Sequence, residues 1–330
     1  MLPVLAVILA AVCFGTTGTA QALADVPASP IAVGAARILV GGALLATIAV
    51  LPRLRRGRGG GVDAGRAGQA DPAPAPGDHP HPRLGPAAAS AVLAVGALGV
   101  LAYQPLFFSG TRMNGVAVGT VIALGSAPIA TGIIDAVLHR RAPARRWLVA
   151  TVLTLAGVVL VSGLLEELGG GAAPISPLGV LASVGAGASY AAYTLAGKAL
   201  LDHGWRSDAS MGAMFGIAAA ASLPVLLTAG AGWVLTPAGA GLTAWLGGVT
   251  TVIAYLLFGW GLGRLPAPVV STLTIAEPLT ATILGVAVLH EHVSLIAGAG
   301  MVVLLAGLLL LAVPVPRLRP AGSPHPRPGE

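Results

Sequence analysis

Ten long apolar runs dominate the sequence, and short stretches rich in proline, glycine or charge separate them. A helix that crosses the hydrocarbon layer of a bilayer needs roughly 20 apolar residues. Runs of this length therefore predict ten transmembrane helices. The predicted spans are 4–23, 30–51, 86–108, 115–138, 147–165, 177–201, 209–229, 242–262, 267–289 and 294–313.

The composition is typical of an all-α polytopic membrane protein. Hydrophobic residues make up 55% of the 330 residues and charged residues only 9%, and the mean hydropathy is +0.87. A soluble core could not bury so much apolar surface, so lipid must cover it. The formal charge of +6 does not indicate a nucleic-acid partner, because the arginines lie in loops between apolar runs and not on one face of a soluble domain.

The distribution of basic residues predicts the orientation, since Lys and Arg are enriched in cytoplasmic loops. With both termini inside, 15 of the 18 basic residues fall in cytoplasmic segments, and the outer loops contain only Arg112. We therefore expect a multi-pass protein of the bacterial inner (plasma) membrane with cytoplasmic N- and C-termini. The 15 are Arg53, Arg55, Arg56, Arg58, Arg66, Arg83, Arg140, Arg141, Arg145, Arg146, Arg206, Arg264, Arg317, Arg319 and Arg327.

An internal duplication underlies the ten runs. Residues 101–128 align with residues 251–278 without a gap, at a shift of 150 that superposes Pro128 on Pro278. Each copy contains five spans, and this odd number makes the second copy enter the membrane upside down relative to the first. The sequence thus predicts two inverted five-helix repeats, the arrangement that gives transporters alternating access to a binding site near the midplane.

The repeats also define the expected domains. The first repeat comprises helices 1 and 2 in residues 1–51 and helices 3 to 5 in residues 87–165, and the second comprises helices 6 to 10 in residues 177–313. Residues 52–86, between helices 2 and 3 of the first repeat, and residues 314–330, after the second repeat, are rich in Pro, Gly and Arg and have no hydrophobic periodicity. Such segments are predicted to be a disordered cytoplasmic linker and tail.

Several short motifs resemble the drug/metabolite transporter superfamily, in its ten-helix branch with two EamA domains. They are Ala36-Arg37, Ser126-Ala127-Pro128, Ala254-Tyr255, Ala276-Glu277-Pro278, Leu289-His290-Glu291 and Gly307. The resemblance covers nearly the whole chain apart from the linker and tail. It implies transport of small organic solutes, often outward, with amino acids, other metabolites and drugs among the substrates of such proteins.

Glu277 is the strongest candidate for a functional residue, because it lies near the centre of its predicted span. A charge at that depth costs roughly 2.5–3.5 kcal/mol on insertion scales, so it must face protein or water. It could couple transport to protons or bind a substrate amine, or it could be a structural glutamate that hydrogen bonds hold between the repeats. Pro278 and its counterpart Pro128 are predicted helix breaks, since proline lacks the backbone donor.

Arg37 lies in the outer third of the second span. It could bind a substrate carboxylate or pair with a carboxylate across the bundle, and the simpler alternative is that it reaches to the outer interface. Other polar side chains within the spans could line a cavity or form interhelical hydrogen bonds. These are Thr16, Gln104, Tyr190, Tyr193 and Tyr255.

The motifs of other function classes are missing from the sequence. It has no GxxxxGK[ST] phosphate loop, no GxSxG and no HExxH, and a single cysteine, Cys13. We expect no enzymatic activity, cofactor or metal, and the partners we expect are the lipid bilayer, a small-molecule substrate and a proton as a candidate coupling ion. The alternatives are an enzyme acting on lipid or isoprenoid substrates, a multidrug efflux carrier and a non-transporting scaffold. The sequence leaves open whether the protein is a monomer or a homodimer.

Overall fold

A computed structural model describes residues 1–58, 84–165, 175–290 and 292–313, and every long regular element in these ranges is a helix. In chain order the helices are α1 (Leu2–Ala24), α2 (Pro30–Arg58), α3 (Pro86–Asn114), α4 (Val116–His139), α5 (Arg145–Val161), α6 (Pro177–Asp202), α7 (Ser207–Ala229), α8 (Pro237–Leu262), α9 (Ala267–Leu289) and α10 (Leu295–Ala312). A short 3-10 turn, Gly232–Leu235, precedes α8.

Nine helices of the described ranges are long and apolar enough to cross a membrane, which makes this a polytopic membrane protein. The exception among the ten predicted spans is α5, which has 17 residues and a length of about 25 Å, against a hydrocarbon core of about 30 Å. Where the sequence predicted a span that continues to residue 165, regular α-helix ends at Val161 and a turn follows.

The predicted linker is partly helical. Helix α2 continues to Arg58, past the expected boundary at residue 51, so the structure assigns 52–58 to a helix. The rest of the predicted linker, 59–83, and the predicted tail, 314–330, lie outside the described residues.

Proline and small hydroxyl side chains fix where several helices begin. The side chains of Ser176, Thr236 and Ser294 each accept a hydrogen bond from the backbone N–H three residues later, at 3.4, 3.1 and 3.1 Å. Each satisfies one of the donors that a helix leaves free in its first turn. Proline follows directly after two of them, at Pro177 and Pro237, where its missing N–H costs nothing.

Close contacts identify which helix ends lie together. Gly261 near the end of α8 packs on Val7 of α1, and Gly259 packs on Ser207 at the start of α7. We call this the basic end of the bundle, because Arg206 and Arg264 lie beside these contacts. At the opposite end, Asn114 of α3 exchanges two hydrogen bonds with the backbone of Ser176, at 2.7 and 3.2 Å.

The pairwise contacts between helices follow a regular scheme. The most extensive pairs include α2 with α7 and α5 with α10. Helix α6 packs on α3 and α4, and α1 packs on α8 and α9. Each of these pairings therefore has an equivalent pairing, which is found by replacing every helix with its counterpart in the other half of the chain, five places later or earlier.

Glycines at two crossings obey the same exchange. In the α2–α7 crossing, a Cβ on Gly42 would lie 2.9 Å from the Cβ of Ala219, and a Cβ on Gly212 would lie 2.6 Å from that of Ala49. Adding 170 to the residue numbers 42 and 49 gives 212 and 219. The two contacts are therefore equivalent, with the roles of α2 and α7 exchanged.

The α5–α10 crossing repeats this relation. A Cβ on Gly157 would lie 2.6 Å from Cα of Leu304, and a Cβ on Gly307 would lie 2.8 Å from the backbone nitrogen of Thr154. Adding 150 to the residue numbers 154 and 157 gives 304 and 307. These two contacts are therefore equivalent as well, with the roles of α5 and α10 exchanged. Only glycine allows these backbones to approach so closely.

Candidate functional site

Helix α9 is interrupted at 274–275, between Ala267–Leu273 and Ala276–Leu289. Pro278 has no N–H with which to reach the carbonyl of Thr274, and the N–H of Glu277 donates to that carbonyl instead, at 3.1 Å. The Thr274 hydroxyl donates to the carbonyl of Ser271 at 2.9 Å. The break thus has its own hydrogen bonds and lies beside Glu277.

Glu277 occupies the first turn of the second half of α9 and is half-buried. The partial positive charge of a helix N-terminus favours a carboxylate at such a position. Helix α1 packs tightly on this turn, because a Cβ on Gly15 would lie 2.8 Å from the Glu277 carbonyl oxygen. The backbone of Glu277 therefore lies at the interface of α1 and α9.

Arg37 of α2 is the cation that acts electrostatically on Glu277. Its side chain donates to the carbonyl of Thr250 at 2.9 Å and to the hydroxyl of Thr251 at 3.3 Å. These acceptors belong to a π-helical segment within α8, Gly248–Ile253, an irregularity that is frequent at functional sites. Among the described residues Arg37 forms no ion pair with a carboxylate.

Tyr190 of α6 ties the break in α9 to the neighbouring helix. Its hydroxyl lies 2.7 Å from the hydroxyl of Thr274, so one of the two donates to the other across the α6–α9 contact. Tyr193, one turn further along α6, lies with its hydroxyl 3.3 Å from that of Tyr255 in α8.

All four tyrosines and all five phenylalanines of the chain belong to one network of ring contacts. The closest pair is Phe215 and Tyr255, with ring centroids 4.1 Å apart. Tyr190 and Tyr255 are each only 9% exposed. In this conformation the tyrosines pack as an aromatic core beside Glu277, and their predicted role in lining a cavity stays a prediction.

Two other predicted residues have partners of their own. The Thr16 hydroxyl donates to the carbonyl of Cys13 at 2.7 Å and accepts a hydrogen bond from the indole of Trp245 at 3.0 Å. Gln104 of α3 packs against Gly34 of α2 and lines a small cavity of about 80 Å³. The structure therefore groups Glu277 and Arg37 with the three tyrosines, and Thr16 and Gln104 have separate partners.

The predicted break at Pro128 is not found, since α4 runs without interruption from Val116 to His139. The reason is packing: Ala127 and Pro128 are buried, and a Cβ on Gly187 of α6 would lie 2.8 Å from the Ala127 nitrogen. A membrane helix tolerates proline where neighbouring helices hold it on both sides.

Within the described residues there is no group of three or more His, Cys, Asp or Glu side chains that could hold a metal ion. The polar groups described at this site are the Arg37 guanidinium, which acts on Glu277, and the paired hydroxyls of Tyr190 and Thr274 at the helix break. This set suits an organic solute with hydrogen-bonding and charged groups.

Comparison with known proteins assigns the chain to a family. The EamA-like transporter family matches residues 1–163 and again residues 177–313. The chain belongs to the EamA-like transporter family. EamA proteins are part of the drug/metabolite transporter superfamily, as the motifs of the sequence predicted, and the chain is a membrane transporter and not an enzyme.

Two individual proteins are similar over nearly the full length of this EamA protein. The "Uncharacterized transporter YwfM" of Bacillus subtilis (strain 168) is 35% identical over 320 residues, which covers 97% of this chain and 96% of the relative. A solved crystal structure, 20% identical, covers 93% of this chain and 95% of its own, with a TM-score of 0.70. This second likeness concerns the fold alone.

Sequence reasoning missed the immediate partners of the charged groups. Thr274 and the π-helical segment of α8 contact Tyr190 and Arg37, and neither was singled out. A hydroxyl residue four positions before an intramembrane proline is a signal that could have identified Thr274, since that position loses its backbone donor.

Proposed function

We propose that this EamA protein is a secondary transporter that exports small organic metabolites, such as amino acids, by alternating access. It has ten transmembrane helices in two inverted repeats, lies in the bacterial plasma membrane and has both termini in the cytoplasm. Glu277 and Arg37 bind the two charged ends of the substrate, and Glu277 also exchanges a proton.

The helix contacts support two inverted repeats. A two-fold relation between the halves predicts that helices lying on the axis contact their own counterparts and that the other extensive contacts occur in exchanged pairs. The α2–α7 and α5–α10 crossings are of the first kind, and the contacts of α6 with α3 and α4 match those of α1 with α8 and α9. With an odd number of spans in each half, the axis lies in the membrane plane.

The same relation supports α5 as the tenth span. Its counterpart α10 is a full-length apolar helix, and Gly157 and Gly307 hold the two helices together in equivalent contacts. A bilayer accommodates a short span by local thinning at a modest energetic cost.

The single observation that carries the proposed function is the unpaired placement of two opposite charges at the broken helix. Glu277 and Arg37 are near enough to interact, yet Arg37 is hydrogen-bonded to α8 and not ion-paired with Glu277. Intramembrane ionisable residues are a hypothesis for a functional site by default. A zwitterion whose amine meets Glu277 and whose carboxylate meets Arg37 would satisfy both.

Packing favours small metabolites over large planar drugs. Phe215 and Phe258 are fully buried, and Tyr190, Tyr193 and Tyr255 are at most 9% exposed. Rings that are packed on one another leave their faces covered, so they offer no cage for a bulky cation in this conformation.

Proton coupling follows from the chemistry of the carboxyl group. Glu277 must lose its charge or gain a partner when the site closes to water, because an unpaired charge in a dry interior is costly. Protonation from one side and release to the other would couple substrate movement to the proton gradient.

The test begins with a growth screen of a deletion strain against toxic amino acids and their analogues. A compound to which the deletion strain is more sensitive is taken as the transported substrate. Flux of that substrate is then measured in proteoliposomes with an imposed pH gradient. We expect Glu277→Gln to abolish acceleration by the gradient and Asp25→Asn, which removes an exposed carboxylate at a loop, to leave it intact. Gradient-driven flux that is unchanged in Glu277→Gln would exclude this carboxyl as the coupling group.

Topology is tested separately by cysteine labelling in a Cys13→Ala background. Single cysteines at Gly115 and at Leu265, which stand at equivalent turns of the two repeats, should react with a membrane-impermeant reagent from opposite sides. Labelling of both from one side would contradict the inverted arrangement.

A further inference from the structure

A second site lies at the basic end of the bundle, away from Glu277. A cavity of about 670 Å³ opens there between the ends of α4 and α6, the α4–α5 loop and the α8–α9 loop. Trp147, 7% exposed, lies at its inner wall, where the indole donates to the carbonyl of Pro268 at 2.9 Å and to the hydroxyl of Thr272 at 3.0 Å. The cavity therefore borders the first half of α9 but is separate from the Glu277 site.

The lining of this cavity is positively charged overall. Three cations, Lys198, Arg141 and Arg264, face two carboxylates, Asp135 and Asp202. The Lys198 ammonium is paired with Asp202 at 2.7 Å. In the part of the chain that the structure describes, Arg141 and Arg264 form no ion pair with a carboxylate, which leaves two guanidinium groups for an anion.

Arg264 is held in place for such a contact. Its guanidinium stacks on the ring of Trp260 at 4.0 Å, and one of its nitrogens donates to the Trp260 carbonyl at 2.9 Å. A guanidinium has five N–H donors in a planar fork that matches phosphate, so donors remain for a ligand. A fixed guanidinium loses less conformational entropy when it binds than a free one would.

An apolar groove lies on the lipid-facing side of the same helix ends. It has a volume of about 390 Å³, lies between α3, α4 and α6, and is lined by apolar side chains only. Leu138 of the groove precedes His139 of the cavity, and Ala199 of the groove follows Lys198 of the cavity. The groove and the charged cavity thus meet at the ends of α4 and α6.

We infer that an anionic phospholipid binds at this place, with its phosphate between Arg141 and Arg264 and one acyl chain in the groove. The charge complementarity selects an anion, and the adjoining apolar groove selects an amphiphile over a soluble ion. Basic pockets between transmembrane helices bind anionic headgroups in this manner. The bound lipid links the α4–α5 loop of the first repeat to the α8–α9 loop of the second.

The test measures lipid binding to the purified, delipidated full-length protein in detergent. Native mass spectrometry counts bound phosphatidylglycerol against phosphatidylcholine of the same chain length, and thermal unfolding is followed with each lipid. We expect phosphatidylglycerol to bind preferentially and to raise the Tm. Since a cation near the membrane surface contributes roughly fivefold in affinity, Arg141→Gln and Arg264→Gln should each weaken binding by about that factor.

Matched variants make the test specific. Arg145→Gln removes an equal charge from the same loop, at an exposed residue outside the cavity, and should leave binding unchanged. Ala199→Leu fills part of the groove without changing the charge and should weaken binding. Arg141→Gln changes an exposed loop residue, so this variant should fold even if Arg264→Gln does not.

Three results would overturn the inference. Equal loss in Arg145→Gln and Arg141→Gln would mean that only the general surface charge attracts the lipid. Equal stabilisation by phosphatidylcholine would remove the role of the anion. Stabilisation by inorganic phosphate that matches that of the lipid, together with unaltered binding in Ala199→Leu, would assign the cavity to a soluble anion.

Discussion

The glycine contacts between α2 and α7 give a quantitative test of the packing and of the repeat at the same time. The change is a single methyl group, Gly42→Ala in α2 or Gly212→Ala in α7. The new Cβ would lie 2.9 Å from Ala219 in the first case and 2.6 Å from Ala49 in the second. Non-bonded carbon atoms are at optimal separation at about 3.5–4.0 Å, so the helices must separate in both variants.

Forcing extra volume into a packed helix interface costs about 1–3 kcal/mol. Alanine is also a better helix former than glycine by about 1 kcal/mol, which offsets part of this loss. Gly18→Ala in α1 provides the matched control, because nothing lies within 4 Å of the Cβ it would add. We therefore expect Gly42→Ala and Gly212→Ala each to be about 1–3 kcal/mol less stable than Gly18→Ala.

The free energy of unfolding can be measured by titrating the protein in mixed micelles with a denaturing detergent and following tryptophan fluorescence. The proposed inverted repeat adds a second expectation, that Gly42→Ala and Gly212→Ala have similar effects. The double variant should lose less than the sum of the two, since the first separation makes room for the second methyl group.

Stability of Gly42→Ala and Gly212→Ala equal to that of Gly18→Ala would refute the reasoning, because it would mean that the helices do not meet at these residues. A large effect at only one of the two positions would contradict the equivalence of the two glycine contacts in the α2–α7 crossing.

Three further predictions concern individual hydrogen bonds. Tyr190→Phe removes the 2.7 Å hydroxyl contact at the break in α9 and should cost about 0.6 kcal/mol. Thr274→Val removes the same contact and also the hydrogen bond from the Thr274 hydroxyl to the Ser271 carbonyl, so it should cost more, and the double variant should lose no more than Thr274→Val alone; additive losses would contradict a shared bond. Arg146→Gln should accelerate amide hydrogen exchange in the last turn of α10, whose carbonyls the guanidinium caps; exchange at the wild-type rate would mean that the cap is dispensable. Asn114→Ala removes both hydrogen bonds to Ser176 and should lower the free energy of unfolding by about 1–2 kcal/mol, and an unchanged midpoint in the detergent titration would contradict this.

The two repeats share their packing but not their chemistry. The position equivalent to Glu277 in the first repeat is Ala127, and the position equivalent to Thr274 is Leu124, each 150 residues earlier. At the break in α9 the Thr274 hydroxyl satisfies the freed carbonyl of Ser271, whereas α4 has Leu124 at the equivalent position and is held as a continuous helix by its packing on α6. The Glu277 carboxyl and the Thr274 hydroxyl thus come from the second half of the chain, and the Arg37 guanidinium comes from the first.

Much of this architecture could be predicted from the sequence, because lipid imposes a simple rule. Each span must be a helix of nearly uniform length with an apolar surface, so runs of apolar residues mark the helices directly. Nine of the ten predicted spans coincide with helices that meet these criteria. The position of Glu277 near the middle of α9 followed from its distance to the span ends alone.

Only the tertiary structure decided which polar side chains meet. The tyrosines and phenylalanines are scattered from Phe14 to Phe258 along the chain, yet all their rings form one network, because contacts between helices depend on rotation about each axis. Periodicity is weak in a helix that is apolar on all sides, so the sequence does not reveal which face turns inward. For the same reason the partners of Arg37 in α8 and the hydroxyl contact of Tyr190 with Thr274 became apparent only when the helices were assembled.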